Sequence, residues 1–188
     1  MDTNPSCLAA KRYELKSSSK DDVDEFFVQG DLSTSLSLIF KLKPEYVFPT
    51  APVHIAAELA RIRFKLAPWE EAINCILPNL PPVVVLQAGR GNLVVSYNRD
   101  KTCIEQCSAP EVCPSSKIRK PCSMERLMRF ACPESYIVIS YQVSPGMGAL
   151  RGSDILDFFE WAENKERFVL ATACDCHGVF TCFKKAGK

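Results

Sequence analysis

Cys103, Cys107, Cys113 and Cys122 stand close together in a polar stretch punctuated by Pro110, Pro114 and Pro121. The stretch carries neither a helical nor a strand period, so no apolar face is available to order it. Thiolates are soft ligands that suit zinc or an iron–sulfur cluster, and four of them would complete either centre. Closing the loop around such a centre would offset the entropy of ordering it, and the prolines reduce the entropy there is to lose. The spacing Cys103-x3-Cys107-x5-Cys113-x8-Cys122 is neither that of a zinc ribbon nor that of the common ferredoxin runs, so the metal stays open. The same residues also read as unliganded or redox-active thiols.

A second cluster, Cys174-x-Cys176-His177, follows a strand pattern over Arg167 to Thr172 and leads into a short terminal helix or tail through Cys182. These three side chains can substitute for one of the first four ligands. Alternatively, a cysteine there becomes a nucleophile beside a histidine that lowers its pKa. A third pattern is Ser144 to Ser153, where a strand passes into a helix start through Gly146, Gly148 and Gly152. Small residues in that setting offer amide donors to a phosphate or carboxylate, although the spacing misses G-x-G-x-x-G by one residue. A plain turn uses the same glycines for their dihedral freedom.

The composition limits what such sites can serve. With 188 residues and 47% apolar content the chain can bury one substantial core. The 23 basic and 22 acidic residues leave a net charge of +1, without the basic field of a nucleic-acid binder. No apolar run reaches the roughly 20 residues that span a bilayer, and the N-terminus lacks the apolar core of a signal peptide. The expected setting is the cytoplasm, where the 10 cysteines stay reduced as thiols or metal ligands. A protein partner or a second copy stays open.

The elements that must position these residues read as alternating strands and helices. Leu8 to Leu15 forms a first helix, and the acidic run Asp21, Asp22, Asp24 and Glu25 a solvated turn. Phe26 to Val28 is a short strand, and Leu32, Leu36, Ile39 and Phe40 recur at helical spacing until Pro44. Tyr46 to Phe48 is a second strand, followed by a helix with Val53, Ala56, Ala57 and Ala60 on one face; His54 at its start reads as a helix-terminus residue. Pro68 opens another helix, which places Cys75 as a small core residue. Val83 to Leu86 fits a central strand, and Gly89 to Asn92 a hairpin turn into Leu93 to Tyr97, although the same spacing also allows a phosphate-binding loop. Helices over Ser123 to Phe130 and from Ile155 to Ala162 flank the strand Tyr136 to Val143, and the closing Lys184, Lys185 and Lys188 form a solvated tail. The alternation predicts one α/β domain over 1–188, a three-layer, mainly parallel, Rossmann-like sheet with a cysteine-rich insertion at about 98–122.

The first ~65 residues carry a resemblance. The order of acid, Asn4-Pro5, helix, strand with Gly30-Asp31, helix, strand and helix resembles the middle of a Rossmann-type domain. It is similar to the nucleotide-binding regulatory domains of potassium channels and transporters and to the related dehydrogenases. The resemblance implies that Asp2 is the acidic residue closing the second strand, which contacts a ribose hydroxyl, and hence a bound nucleotide. No strand and no G-x-G-x-x-G turn precede Asp2, so the phosphate-binding first unit is absent from this chain. The expected function is therefore metal binding, zinc or iron–sulfur, on a degenerate nucleotide-binding scaffold with a binding or regulatory role. The alternative is a redox or transfer enzyme that uses Cys174, Cys176 and His177 or a bound cluster.

Overall fold

A computed structural model describes residues 1–15, 26–99 and 101–186. The acidic run at Asp21 to Glu25 and the terminal Lys188 lie outside the described residues. The chain falls into two compact units, Met1–Lys43 and Pro44–Lys188.

The first unit holds α1 (Leu8–Arg12) and α2 (Leu32–Leu42). Phe26 to Val28 is not part of a named strand there; Phe27 is in an isolated bridge, and a parallel bridge joins Asp2 to Gln29. Asp31 caps α2, accepting from the amides of Ser33 at 2.9 Å and Thr34 at 3.1 Å, which satisfies donors that a helix start leaves unpaired.

The second unit contains β1 (Tyr46–Val47), α3 (Ile55–Phe64), β2 (Leu66–Pro68), α4 (Glu70–Ile76), β3 (Val85–Gly89) and β4 (Asn92–Ser96). After the cysteine-rich segment come α5 (Met124–Ala131), β5 (Tyr136–Ser144), β6 (Met147–Arg151), α6 (Gly152–Ala162), β7 (Arg167–Ala173) and β8 (His177–Lys185). The strands form an eight-stranded sheet in the order β1-β6-β5-β7-β8-β4-β3, with β2 pairing the far end of β8.

This sheet overturns the expectation of a mainly parallel, Rossmann-like arrangement. Only β5 and β7 run parallel; β3–β4, β5–β6, β7–β8, β4–β8, β1–β6 and β2–β8 are all antiparallel. The physical cause is connection length. Parallel neighbours need a long crossover, and the consecutive strands β3–β4, β5–β6 and β7–β8 instead turn straight back in hairpins. Arg90 and Gly91, with φ of 54° and 74°, make the two-residue turn between β3 and β4. Val83 and Val84 lie in a 3-10 turn, and β3 is an edge strand instead of a central one.

The central strands are buried on both faces. On β7 and β8, Val169, Ala171, Ala173, Phe180 and Cys182 join Ile73, Ile76, Met124 and Met128 of α4 and α5 in one apolar cluster. The alternate residues Phe168 and Phe183 meet edge to face at 5.7 Å, and Phe168 also meets Phe158 of α6 and Phe64 of α3. Burial of Phe, Leu and Val side chains at about 1.5–3 kcal/mol each holds this centre. The segment read as a terminal helix or tail is thus a nine-residue central strand. Cys75, expected in the core, is exposed. No helix among the described residues is long and apolar enough to cross a membrane.

Candidate functional site

The cysteine-rich segment is ordered by backbone hydrogen bonds instead of apolar contacts. Glu111 to Lys120 folds into a small hairpin: Lys120 N donates to Glu111 O and Cys113 N to Ile118 O, both at 2.9 Å. Side chains then tie it to its surroundings. The Ser115 hydroxyl donates to Thr102 O at 2.9 Å, and that of Ser116 to Tyr97 O at 3.0 Å. Cys107 O accepts from Gly146 N at 2.9 Å and from the Gln142 amide, so the β5–β6 hairpin holds this half of the loop.

The second cluster occupies the turn between β7 and β8. Its carbonyls sit on the first turn of α5, where Met124 N donates to Asp175 O at 3.0 Å and Glu125 N to Cys174 O at 3.3 Å. Ser123 caps that helix from the residue after Cys122. A helix start carries partial positive charge that favours nearby thiolates. Gly178, the first residue beyond His177, admits α5 closely: a Cβ there would stand 2.1 Å from Met128 Sδ.

These elements bring most of the predicted metal residues together. Cys103, Cys107, Cys113, Cys174, Cys176 and His177 line one cavity of 780 Å³. His177 Nε2 stands 3.4 Å from Cys103 Sγ, across 74 residues of chain, and Nδ1 stands 3.8 Å from Cys174 Sγ. Cys122 lies beside the wall, its sulfur 3.8 Å from the Tyr97 hydroxyl. The Lys120 ammonium donates to Cys176 Sγ at 3.3 Å and to Ala109 O at 2.8 Å, linking the loop to the β7–β8 turn. Among the described residues, no three of the His, Cys, Asp and Glu side chains already converge as a metal-holding group.

The electrostatics differ from thiol to thiol. Burial pushes the Cys113 thiol up, but the Ser116 hydroxyl and the amides of Ser116 and Ser115 outweigh it and leave the group below its ordinary pKa. Burial holds Cys176 above the ordinary value; Lys120 opposes this, and Cys174 and Cys107 add to it. Burial lowers His177, against the pull of Cys113, so the ring is neutral at pH 7 and keeps a lone pair for a metal or a proton. Tyr97 is pushed up by burial, then by its hydrogen bond to Cys122. A set of thiols and one neutral imidazole is the donor chemistry of zinc and of iron–sulfur centres.

The residues expected to bind a nucleotide or anion sit elsewhere or are engaged by the protein. Asp2 is in the first unit, its carboxylate accepting from Asn4 N at 2.8 Å. Gly146 turns the β5–β6 hairpin with φ of 77°, its amide given to Cys107 O, and Gly148 pairs with Gln142 within that hairpin. Gly152 starts α6 and donates to Glu45 O; a Cβ there would stand 1.8 Å from Pro44 O, so close packing requires the glycine. Three residues that the sequence did not single out also belong to the site: Tyr97, Asn98 and Lys120. Lys120 follows the loop's own basic residues with no spacing to mark it, and Asn98 reads only as the opening of the segment.

Residues 55–186 match the family model AF_1314_C, the C-terminal domain of an uncharacterised protein, and residues 1–55 match AF_1314_N, its N-terminal domain. The chain belongs to the AF_1314 family. The two matches cover both parts of the chain with this family's domains, and no Rossmann or potassium-transport regulatory family is found, which overturns the resemblance drawn from the first ~65 residues. That resemblance rested on an element order that short apolar runs and glycine turns produce in many folds. An uncharacterised protein of Archaeoglobus fulgidus is 49% identical over 189 residues, covering 99% of this chain and 87% of the relative. No solved structure matches the chain.

Proposed function

We propose that this AF_1314 family member binds a soft metal centre in the thiol-lined cavity of its second unit and works in the reducing setting of the cytoplasm. The observation that carries the reading is convergence: Cys103, Cys107 and Cys113 from the loop meet Cys174, Cys176 and His177 from the β7–β8 turn around one space. Such a grouping of thiols from distant segments has no packing purpose, because thiols pack as small apolar groups in cores and these line a cavity instead. The donors ring 780 Å³ and do not meet at a point, which favours an iron–sulfur cluster over a single zinc ion. Cys103, Cys107, Cys113 and Cys174 are the first candidates for ligands, with Cys122, Cys176 and His177 as substitutes. When bound, the centre would supply electron transfer or Lewis acidity, and the chain would supply thiolates, that of Cys113 held by the Ser115 and Ser116 donors.

Purification without oxygen, followed by iron, zinc and acid-labile sulfide analysis, tests the reading. A brown protein with iron and sulfide in equal amounts is expected. A colourless protein with one zinc per chain would support the metal and reject the cluster, and a metal-free product would sink the proposal.

A second reading is favoured by the contacts of Cys174 and Cys176. An imidazole beside the first and an ammonium beside the second are the surroundings of a nucleophilic thiol in a redox or transfer enzyme. Iodoacetamide labelling of the metal-free protein separates the two. One cysteine of this pair reacting far faster than Cys103 and Cys107 supports catalysis; uniform slow labelling counts against it.

A further inference from the structure

The 2 tryptophans of the chain, Trp69 and Trp161, line one groove of 340 Å³ in the second unit, and the groove shares no lining residue with the thiol cavity. Its floor is apolar: Ala72, Ile76 and Val169 are all buried there. Both indoles are half-buried, and each carries a cation on its ring. The Arg167 guanidinium stands 5.0 Å from the centre of the Trp69 ring, and the Lys165 ammonium stands 4.4 Å from that of Trp161. Stacking on an indole holds a cation in place without neutralising its charge.

The nearby carboxylates leave both cations uncompensated. Glu166, between them in sequence, turns to Lys185 at 3.1 Å, and Glu163 pairs with Arg63 at 3.6 Å. The carboxylate that lines the groove, Glu134, stands beside the Cys132 thiol. Neither Lys165 nor Arg167 has an ion-pair partner among the described residues. Two cations against one carboxylate give the groove a positive balance above an apolar floor, which complements an anion with an apolar body. The planar fork of an arginine takes a carboxylate through two parallel hydrogen bonds, and the edges of the indoles and of Phe168 offer ring contacts to an aromatic body. A volume of 340 Å³ is at the lower end of the roughly 300–1,000 Å³ of small-molecule sites, which suits one ring and a short acid. We propose that this groove binds a small aromatic carboxylate, its carboxylate on Arg167 beside Lys165 and its ring over the apolar floor. The site goes beyond the metal reading and does not depend on it.

Because both tryptophans line this groove, the tryptophan emission of the full chain reports on it directly. The probes are phenylacetate, its neutral counterpart phenylacetamide, the cation benzylamine, and acetate, which lacks the ring. Phenylacetate is expected to change the emission saturably, with phenylacetamide about tenfold weaker, the effect of one charge-assisted hydrogen bond. Acetate and benzylamine should leave the emission unchanged. Arg167→Gln should lose a similar factor toward phenylacetate and keep the wild-type affinity for phenylacetamide. Equal binding of the acid and the amide, preference for benzylamine, wild-type affinity for phenylacetate in Arg167→Gln, or no saturable response to phenylacetate would each overturn the proposal. The probe comparisons need only the wild-type chain if the variant fails to fold. Metal content measured on the same samples keeps the two readings apart, since phenylacetate binding without metal sinks the metal reading alone, and metal without phenylacetate binding sinks this one alone.

Discussion

The two histidines of the chain occupy contrasting surroundings, and the contrast separates a structural imidazole from one available for chemistry. Both are held below their ordinary pKa by burial, His54 down to about 3. His54 precedes α3, and its ring enters the sheet: Nδ1 and Nε2 each stand 2.8 Å from a hydroxyl, Thr181 on β8 and Thr172 on β7. Thr181 gives its single proton to Asn92 Oδ1 at 2.7 Å, so it must accept from His54 Nδ1–H, and Nε2 then accepts from Thr172. Every polar atom of that ring is matched by a neutral partner at short range. Among the described residues, the hydrogen-bond contacts of His177, one hairpin turn away from Thr172, are to thiols at 3.4 and 3.8 Å, long and weak by comparison. A saturated imidazole locks two strands. An unsaturated one among thiols can still take a metal or a proton.

The comparison can be broken most severely at His54. His54→Ala leaves the hydroxyls of Thr172 and Thr181 short of partners inside the sheet and opens a void, for an expected loss of about 3 kcal/mol in urea denaturation. Metal content per folded chain should not change; if it falls in proportion to ligand loss, the two histidines do not act separately.

Acid acts on the same ring through its charge. The unfolded chain protonates His54 near its ordinary value of 6.5, whereas the folded chain resists protonation until about pH 3. The stability from neutral His54 is therefore complete above pH 6.5 and drains away as pH falls toward 3, by about 1.4 kcal/mol for each unit. Denaturation midpoints measured across this interval should show that slope in the wild type and a shallower one in His54→Ala. Parallel pH curves for the two proteins would contradict the assignment.

Cys113→Ser is expected to cost about 1 kcal/mol, since it shrinks one buried thiol and weakens its contacts with Ser116. Its larger effects should be a drop in bound metal and faster proteolysis between Asn98 and Cys122, with the sheet left intact by circular dichroism. Unchanged metal and an unchanged cleavage pattern would leave Cys113 an ordinary thiol. His177→Ala closes the series. In metal-free protein its stability should change by only about 0.5 kcal/mol, because the ring's long contacts contribute little. In protein purified without oxygen the same change should reduce or shift the metal signal, and a stability loss equal to that of His54→Ala would erase the distinction between the rings.

Much of the local structure is legible in the sequence. The apolar spacing of Met124, Leu127 and Met128 and of Ile155, Phe158, Phe159 and Ala162 specifies two helices, and both occur. Arg90-Gly91 between apolar runs specifies a hairpin, because its turn demands positive φ that glycine supplies. The thiols and His177 announce soft-ligand chemistry through side-chain type alone. Tertiary structure decided the remainder. Strand direction is a property of pairing: an apolar run such as Tyr136 to Ile139 is compatible with a parallel or an antiparallel neighbour, and here β5 takes one of each. β8 was hidden for a related reason, since a strand buried on both faces shows no alternation and Thr181 and Cys182 read as polar breaks. His54 finds its partners 118 and 127 residues away, and Asn98 faces a cavity whose walls come from several separate segments. Side-chain chemistry is local and survives in the one-dimensional chain; which groups meet, and which polar atom is left without a partner, exists only once the backbone has chosen its neighbours.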